Sequence, residues 1–133
     1  YIEHEDTPLY PYRKQLMPQS ERFLLTLKMI ALLRMMMPDI NIAAATALQA
    51  IDPMGREKAI RIGANVVMPN VTPAANRKDY ALYENKPCTD EGADECLSCL
   101  QARIEMADHV VAYNQKGNPL HYYRRTGMKQ ETA

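Results

Sequence analysis

Charge of one sign is what this chain lacks first: its 16 Lys and Arg side chains are balanced by 16 Asp and Glu. No Lys/Arg run exceeds two residues, so neither nucleic acid nor an acidic lipid surface is an expected partner. Long apolar runs are lacking too. The longest lies within Phe23 to Met37 but is broken by Thr26, Lys28 and Arg34, too short and too polar for a membrane span. Glycine is scarce, at five residues, and there is no Gly-rich phosphate loop and no Ser, His and acid set in a nucleophile motif. Triphosphatase and hydrolase chemistry lose their main support. No basic and apolar leader opens the chain, and the three cysteines are an odd number, which argues against a closed set of disulfides and for a reducing cytoplasm. The opening "YIEHEDTPLYPYR" has no helix or strand period, and the chain is expected to start inside a loop of something longer.

What is present is an alternation. A length of 133 residues suits one domain, with roughly two-thirds of its extended surface buried. "SERFLLTLKMIALLRMMM", Ser20 to Met37, reads as a largely buried helix with Ser20 as N-cap and Pro38 as its stop, and Phe23, Leu24, Leu27, Ile30, Ala31 and Met35 share one face. The three successive methionines read as core filler. "DINIAAATAL", Asp39 to Leu48, reads as a short buried strand. Asp52-Pro53 then caps a helix "MGREKAIRIGA" that stops near Gly63, and "NVVMPN" is a second buried strand. Helix, strand, helix, strand with short connections is the pattern of parallel βα units. Two strands do not close a sheet, so the expected fold is α/β, a C-terminal part of a (β/α)8 barrel, which takes about 250 residues when complete. Chemistry would gather at the strand ends, at Ala45, Thr46 and Ala47 and at Met68, Pro69 and Asn70. Thr72-Pro73 opens a short helix carrying Tyr80 and Tyr83 at i, i+3. From Asp94 another helix runs through "ECLSCLQARIEMADHVVAY", and the last residues of the chain are expected to be mobile.

Cys88, Cys96 and Cys99 are spaced C-x7-C-x2-C. Cys96 and Cys99, at i, i+3 near a helix start, point the same way, with Cys88 returned by the loop between. Thiolates there suit an iron-sulfur cluster or a zinc ion with His109 or His121 as fourth ligand, and three inert thiols are the plain alternative. His4, His109 and His121 are far apart in sequence and carry little weight singly.

Several stretches together carry a resemblance: "HEDTPL", "PDINIAAATALQAIDPMGREKAIRIGANVVMPNVTP", "YALYENKPC" and the cysteine spacing. Over about residues 1 to 105 they resemble the C-terminal part of the HydE family of radical S-adenosylmethionine enzymes, which help build the active-site cluster of FeFe-hydrogenase. The resemblance implies the last third of a (β/α)8 barrel, with residues 1–87 as its final βα units and 88–133 as a cysteine-containing helical extension. In the family a 4Fe-4S cluster on a CxxxCxxC motif binds S-adenosylmethionine; no CxxxCxxC occurs in these residues, so the parent enzyme would hold both groups mostly outside this segment. An accessory 2Fe-2S or 4Fe-4S cluster is implied at Cys88, Cys96 and Cys99. The family's cavity wall implies roles for Thr46, Met68, Tyr80 and Tyr83, with Ala45 standing where the family has a first threonine. Implied partners are the N-terminal remainder of the barrel, a small iron-bound or amino-acid-derived substrate and companion maturases. A methylornithine synthase or biotin synthase-like enzyme is the alternative within the same fold, and a non-catalytic iron-sulfur or zinc module is the alternative outside it.

Overall fold

The computed structural model describes residues 4–80, 83–89 and 92–128; the expected mobility of the chain's last residues falls at 129–133, outside them. Among the described residues five α-helices follow one another: α1 Gln19–Met36, α2 Thr46–Ile51, α3 Gly55–Arg61, α4 Ala93–Met106 and α5 Leu120–Thr126, with 3-10 helices at Tyr10–Gln15 and Ala74–Tyr80. Among the described residues no helix is long and apolar enough to cross a membrane.

The expected α/β barrel segment is not what forms. Among the described residues the only β-pairing is an isolated parallel bridge between Ala43 and Val66, with no named strand and no sheet. The two segments expected as strands do lie side by side, joined by Ala44 N–H to Val66 O at 2.8 Å and by Asn65 and Val66 N–H to Ile42 O at 2.9 and 3.1 Å. They stop there because side chains take the neighbouring backbone groups. The Asn65 Oδ1 accepts from Ile42 N–H at 2.8 Å, and Arg34 Nη1 donates to the carbonyls of Pro38 and Ile40 at 2.8 and 2.9 Å. A strand persists only where each edge finds a further ladder partner; here side-chain caps end the ladder after one bridge. Burial alternates along Asn41 to Ala45, with Ile42 and Ala44 inward, so the segment has one buried face and not two.

The core is built from Ile30 of α1, Ile42 and Ala44, Leu48 of α2, Ala59 and Ile60 of α3, Ala64, and Ile104 and Ala107 at the end of α4. Helix α1 contributes Phe23, Leu27, Ile30 and Leu33 at i, i+3/i+4 spacing, while Leu24 and Met35, expected on the same face, are exposed. The expectation of a largely buried α1 is therefore corrected: one stripe is covered and the opposite stripe, Leu25, Met29, Leu32 and Met36, is open. It also begins at Gln19 after Pro18, with no side-chain cap from Ser20.

Two glycines fix how the short helices meet. A Cβ on Gly55 would lie 2.1 Å from the Leu48 carbonyl oxygen, so only glycine lets α3 start against α2. Gly63 has φ +125°, and a Cβ there would lie 2.8 Å from the Cβ and Cγ of Arg34, whose Nε donates to the Gly63 carbonyl at 2.9 Å. The chain thus turns out of α3 at the expected glycine because that backbone conformation is open to few other residues. Helix α4 ends at Met106 rather than running to Tyr113: Asp108 adopts φ 62°, and Ala107 and His109 N–H both return to the Ile104 carbonyl, a left-handed termination. Helix α5 is tied to the head of the bridge by His121 N–H to Asp39 O at 3.0 Å and Arg124 to Asp39 at 2.8 Å.

Asp52 organises the entry to α3. Its carboxylate accepts from Met54 N–H at 2.8 Å and pairs with Lys58, and the Lys58 hydrogen bond, then the Met54 one, hold its pKa below the ordinary carboxylate value. A lowered folded pKa contributes stability above the unfolded value and loses it as pH falls through the folded one. Asp52→Ala, which removes the hydrogen bond to Met54 N–H, is therefore expected to destabilise by about 1 kcal/mol at neutral pH. In urea melts the gap to the parent chain narrows as pH drops below about 4.

Candidate functional site

The site grows from Arg77, which no apolar pattern marks. Arg77 is 2% exposed, and its guanidinium donates to three backbone carbonyls: Thr72 at 2.8 Å, Asn70 at 2.9 Å and Cys88 at 2.9 Å. It sits in the 3-10 helix that follows Thr72-Pro73 and draws the turn before it and the loop after it onto one centre. Asn70 completes the junction. Its side-chain Nδ2 donates to the Cys88 carbonyl at 3.2 Å, and its backbone N–H donates to the Cys96 Sγ at 3.3 Å. Cys96 is 1% exposed on the inward face of α4, in register with Leu100, Ile104 and Ala107. The start of α4 is capped by Glu95, whose Oε2 accepts from Gly92 N–H at 2.7 Å.

Around this junction lies a pocket of about 200 Å³ bounded by Thr46, Arg56, Met68, Pro69, Asn70, Lys86, Pro87, Cys88 and Cys96. This is below the usual range for drug-sized ligands. Thr46 is the first residue of α2, with Ala45 as its N-cap in extended conformation, and Met68 follows the bridge at the pocket mouth, 61% exposed. Arg56 forms part of the wall, 2% exposed, and its guanidinium is hydrogen-bonded to the neutral amide of Gln49. Among the described residues no carboxylate pairs with it. Tyr83 is half-buried; burial raises its pKa, the positive Arg56 opposes the rise and Cys88 adds to it. Tyr80 is exposed and outside the pocket lining. A larger cavity, about 310 Å³, opens between the first 3-10 helix and α1. It holds none of the expected site residues, and its Arg13 already lies over the Tyr10 ring at 3.9 Å.

Cys99 is held elsewhere. It is not among the residues that line this pocket, and Arg103, four residues along α4, pairs with the buried Glu57 of α3 and donates to Pro53 O at 3.1 Å. The Arg103 pKa is raised: burial works against the charged form, and the contacts to Cys99 and Glu57 outweigh it. Among the described residues Glu57 Oε2 and Arg103 Nε find no hydrogen-bond partner. None of the three cysteines is in a disulfide. Among the described residues no three His, Cys, Asp or Glu side chains gather as a metal site. Of the histidines, Nδ1 of His109 contacts the Ala107 carbonyl at 2.7 Å, His121 lies 3.7 Å from Asp39 and His4 lies 3.7 Å from Asp6. Of the three thiols expected to share a cluster, Cys88 and Cys96 line one pocket and Cys99 is not in its lining.

Sequence reasoning thus named Thr46, Met68, Cys88 and Cys96, which the fold gathers, and Tyr80 and Cys99, which lie apart from them. It missed Arg56, Arg77, Glu57 and Arg103. A signal existed for two of them: Arg56 stands three and four positions before Ala59 and Ile60, and Glu57 three before Ile60, on the stripe that a helix of this spacing buries. Arg77 carries no such mark because its partners are carbonyls of loops.

No protein-family profile matches the chain. A curated protein does: the FeFe-hydrogenase maturase subunit HydE of Thermotoga maritima, 46% identical over 106 residues, which are 80% of this chain and 29% of that relative. The chain thus spans well under a third of the length of the relative it matches, and over those residues the resemblance read from the motifs holds.

Replacing Arg77 by Met takes the donor from the carbonyls of Asn70 and Thr72 and leaves the Cys88 carbonyl with Asn70 Nδ2 alone, so a loss of roughly 2–4 kcal/mol in urea unfolding is expected. Cys88 should then react faster with a thiol reagent under native conditions, read as the initial labelling rate by mass spectrometry.

Proposed function

Starting from a chain that is kin to HydE over four-fifths of its length, we propose that it is part of a radical S-adenosylmethionine enzyme acting in FeFe-hydrogenase maturation. The 46% identity over 106 residues carries this reading, and the ordered motifs within the match support it. The parent enzyme would bind its catalytic 4Fe-4S cluster and S-adenosylmethionine through residues outside these 133. Those groups supply the reductive cleavage that generates a carbon-centred radical. This chain's residues would contribute a wall and a floor. Thr46 offers a hydroxyl at the start of α2, Met68 a flexible apolar side chain at the pocket mouth and Tyr83 a half-buried phenol beside Arg56. Tyr80 is proposed as an outer member of the same surface, reached only when the remainder of the polypeptide is in place. The small volume and the two cations of the lining, Arg56 and Lys86, favour a compact substrate carrying negative charge. Its companions would be the remainder of its own polypeptide and other maturases, in the cytoplasm.

Ala45 favours a second reading within the same class, a methylornithine synthase or biotin synthase-like activity. It removes one hydroxyl from the pocket edge, worth on the order of 1 kcal/mol for a substrate that would use it.

A chimaera tests both readings. The matched region of the Thermotoga maritima relative is replaced by residues of this chain, and hydrogenase maturation is measured under anaerobic conditions. Maturation by the chimaera, falling about fivefold in Thr46→Val for one lost hydrogen bond of about 1 kcal/mol with an unchanged melting temperature, supports the proposal. A folded chimaera that cleaves S-adenosylmethionine but matures no hydrogenase contradicts it.

A further inference from the structure

The guanidiniums that this fold takes out of water are compensated unequally. Arg77 has three carbonyls, Arg103 has the Glu57 carboxylate and the Pro53 carbonyl, and Arg34 reaches three carbonyls and the Asn65 side chain. Arg56, as deeply buried as Arg77 at 2% exposed, has a single side-chain oxygen. Gln49 Oε1 accepts from its Nε at 2.7 Å and from its Nη2, and among the described residues its Nη1 has no hydrogen-bond partner. Arg56 also bounds the pocket that Thr46, Met68 and Asn70 line. We propose that Gln49 is a specificity-determining positioning residue: it fixes the Arg56 guanidinium with a neutral acceptor and so leaves its charge and one edge to bind a carboxylate of the substrate. This rests on the reading of that pocket as part of the substrate cavity.

The fork of the guanidinium selects the ligand. It presents five N–H groups in one plane, and the Gln49 oxygen, bound by Nε and Nη2, occupies one side of it. The end formed by Nη1 and the second N–H of Nη2 remains. Two parallel N–H groups match the two oxygens of a carboxylate, and such a charged pair is stronger and more exacting than a contact with one neutral acceptor. One unit of charge on a planar edge complements a monoanion better than a tetrahedral dianion. A buried cation with one amide for company has its desolvation only partly offset, and an arriving carboxylate supplies what is missing.

Neutrality at position 49 is the decisive feature. A carboxylate there would satisfy Arg56 within the fold and cancel the charge that the ligand needs, whereas an amide of the same shape holds the same edge and cancels nothing. The local fold sets up the contact. Gln49 stands three residues after Thr46 on α2, and Arg56 is the second residue of α3. Gly55 allows α3 to start hard against the Leu48 carbonyl, which brings Arg56 to Gln49 across the turn between the two helices.

The full chain, with the Arg56 Nε–H observed by nitrogen-15 NMR, is titrated with sodium acetate at constant ionic strength, beside acetamide as the neutral isostere and inorganic phosphate as the tetrahedral anion. Acetate should shift Arg56 saturably, phosphate more weakly and acetamide not at all. Gln49→Glu should weaken acetate by roughly tenfold or more, the loss of one charge-assisted pair, while the melting temperature stays level or rises. Affinity and stability then move apart, which a purely structural hydrogen bond would not produce. Arg56→Gln should abolish the response; if that variant fails to fold, Gln49→Glu still decides, because it strengthens the pair it alters. The proposal is overturned if acetamide acts as acetate does, if phosphate binds more tightly than acetate, if Gln49→Glu binds acetate as the parent does, or if it loses acetate together with its melting temperature. Binding is read without radical chemistry, so the two readings fail separately. Acetate binding as expected beside a chimaera that matures no hydrogenase sinks the family activity alone, and a working chimaera beside an Arg56 indifferent to acetate sinks this inference alone.

Discussion

One buried guanidinium holds the functional end of this molecule together. Arg77 is taken out of water and surrounded by carbonyls of residues 70, 72 and 88. Removing a cation from water costs several kcal/mol, and hydrogen bonds to a charged donor each return about 1.5–3 kcal/mol, so three of them are needed for the arrangement to persist. The consequence is geometric. The turn at Asn70 and the loop at Cys88 are drawn to one point, and Asn70 then reaches the Cys96 sulfur. Without that centre, two stretches 18 residues apart have no shared strand or helix to align them, and the pocket has no far wall.

A second charged contact sets how the cysteine helix is turned. Glu57 of α3 is fully buried and meets Arg103 of α4, a pair that would be costly to leave half-made. It presses α4 onto α3 along Cys96, Leu100 and Ile104 and leaves Cys99 at the flank, beside Arg103. Residues at i, i+3 do lie on one side of a helix. They are still about 60° apart around its axis, given 3.6 residues per turn, and that angle separates the pocket wall from the contact with Glu57 and Arg103.

The helices were legible in the sequence where punctuation and period agreed: Pro38 after α1, Gly63 after α3 and the acidic start of α4; Asp52 and Pro53, expected as N-cap and first residue of α3, instead precede its N-cap Met54, and Asp52 closes α2. The adjacency of residues 42–44 and 64–66 was legible too, as parallel neighbours, although it is one bridge and no sheet. What failed there was the assumption that apolar runs become strands; Asn65 and Arg34 satisfy the backbone groups that a ladder would have used. The burial of α1 was overestimated because an all-round apolar helix gives no sign of which stripe is covered, and the neighbours cover only the one through Phe23, Leu27 and Ile30. Half of the site was legible because Thr46, Met68, Cys88 and Cys96 belong to motifs. The charged residues that bring them together were hidden, since a guanidinium bound to carbonyls or to a single buried carboxylate leaves no period and no spacing.

The partition of the three thiols is the claim on which the site depends. Methylarsine oxide bridges two thiols only when they can approach one arsenic atom, so its adducts, mapped by peptide mass spectrometry on the folded, reduced chain and on Cys99→Ser, read that partition directly. The account predicts one bridge between Cys88 and Cys96, formed equally well when Cys99 is replaced. A bridge between Cys96 and Cys99, lost in Cys99→Ser, would contradict it.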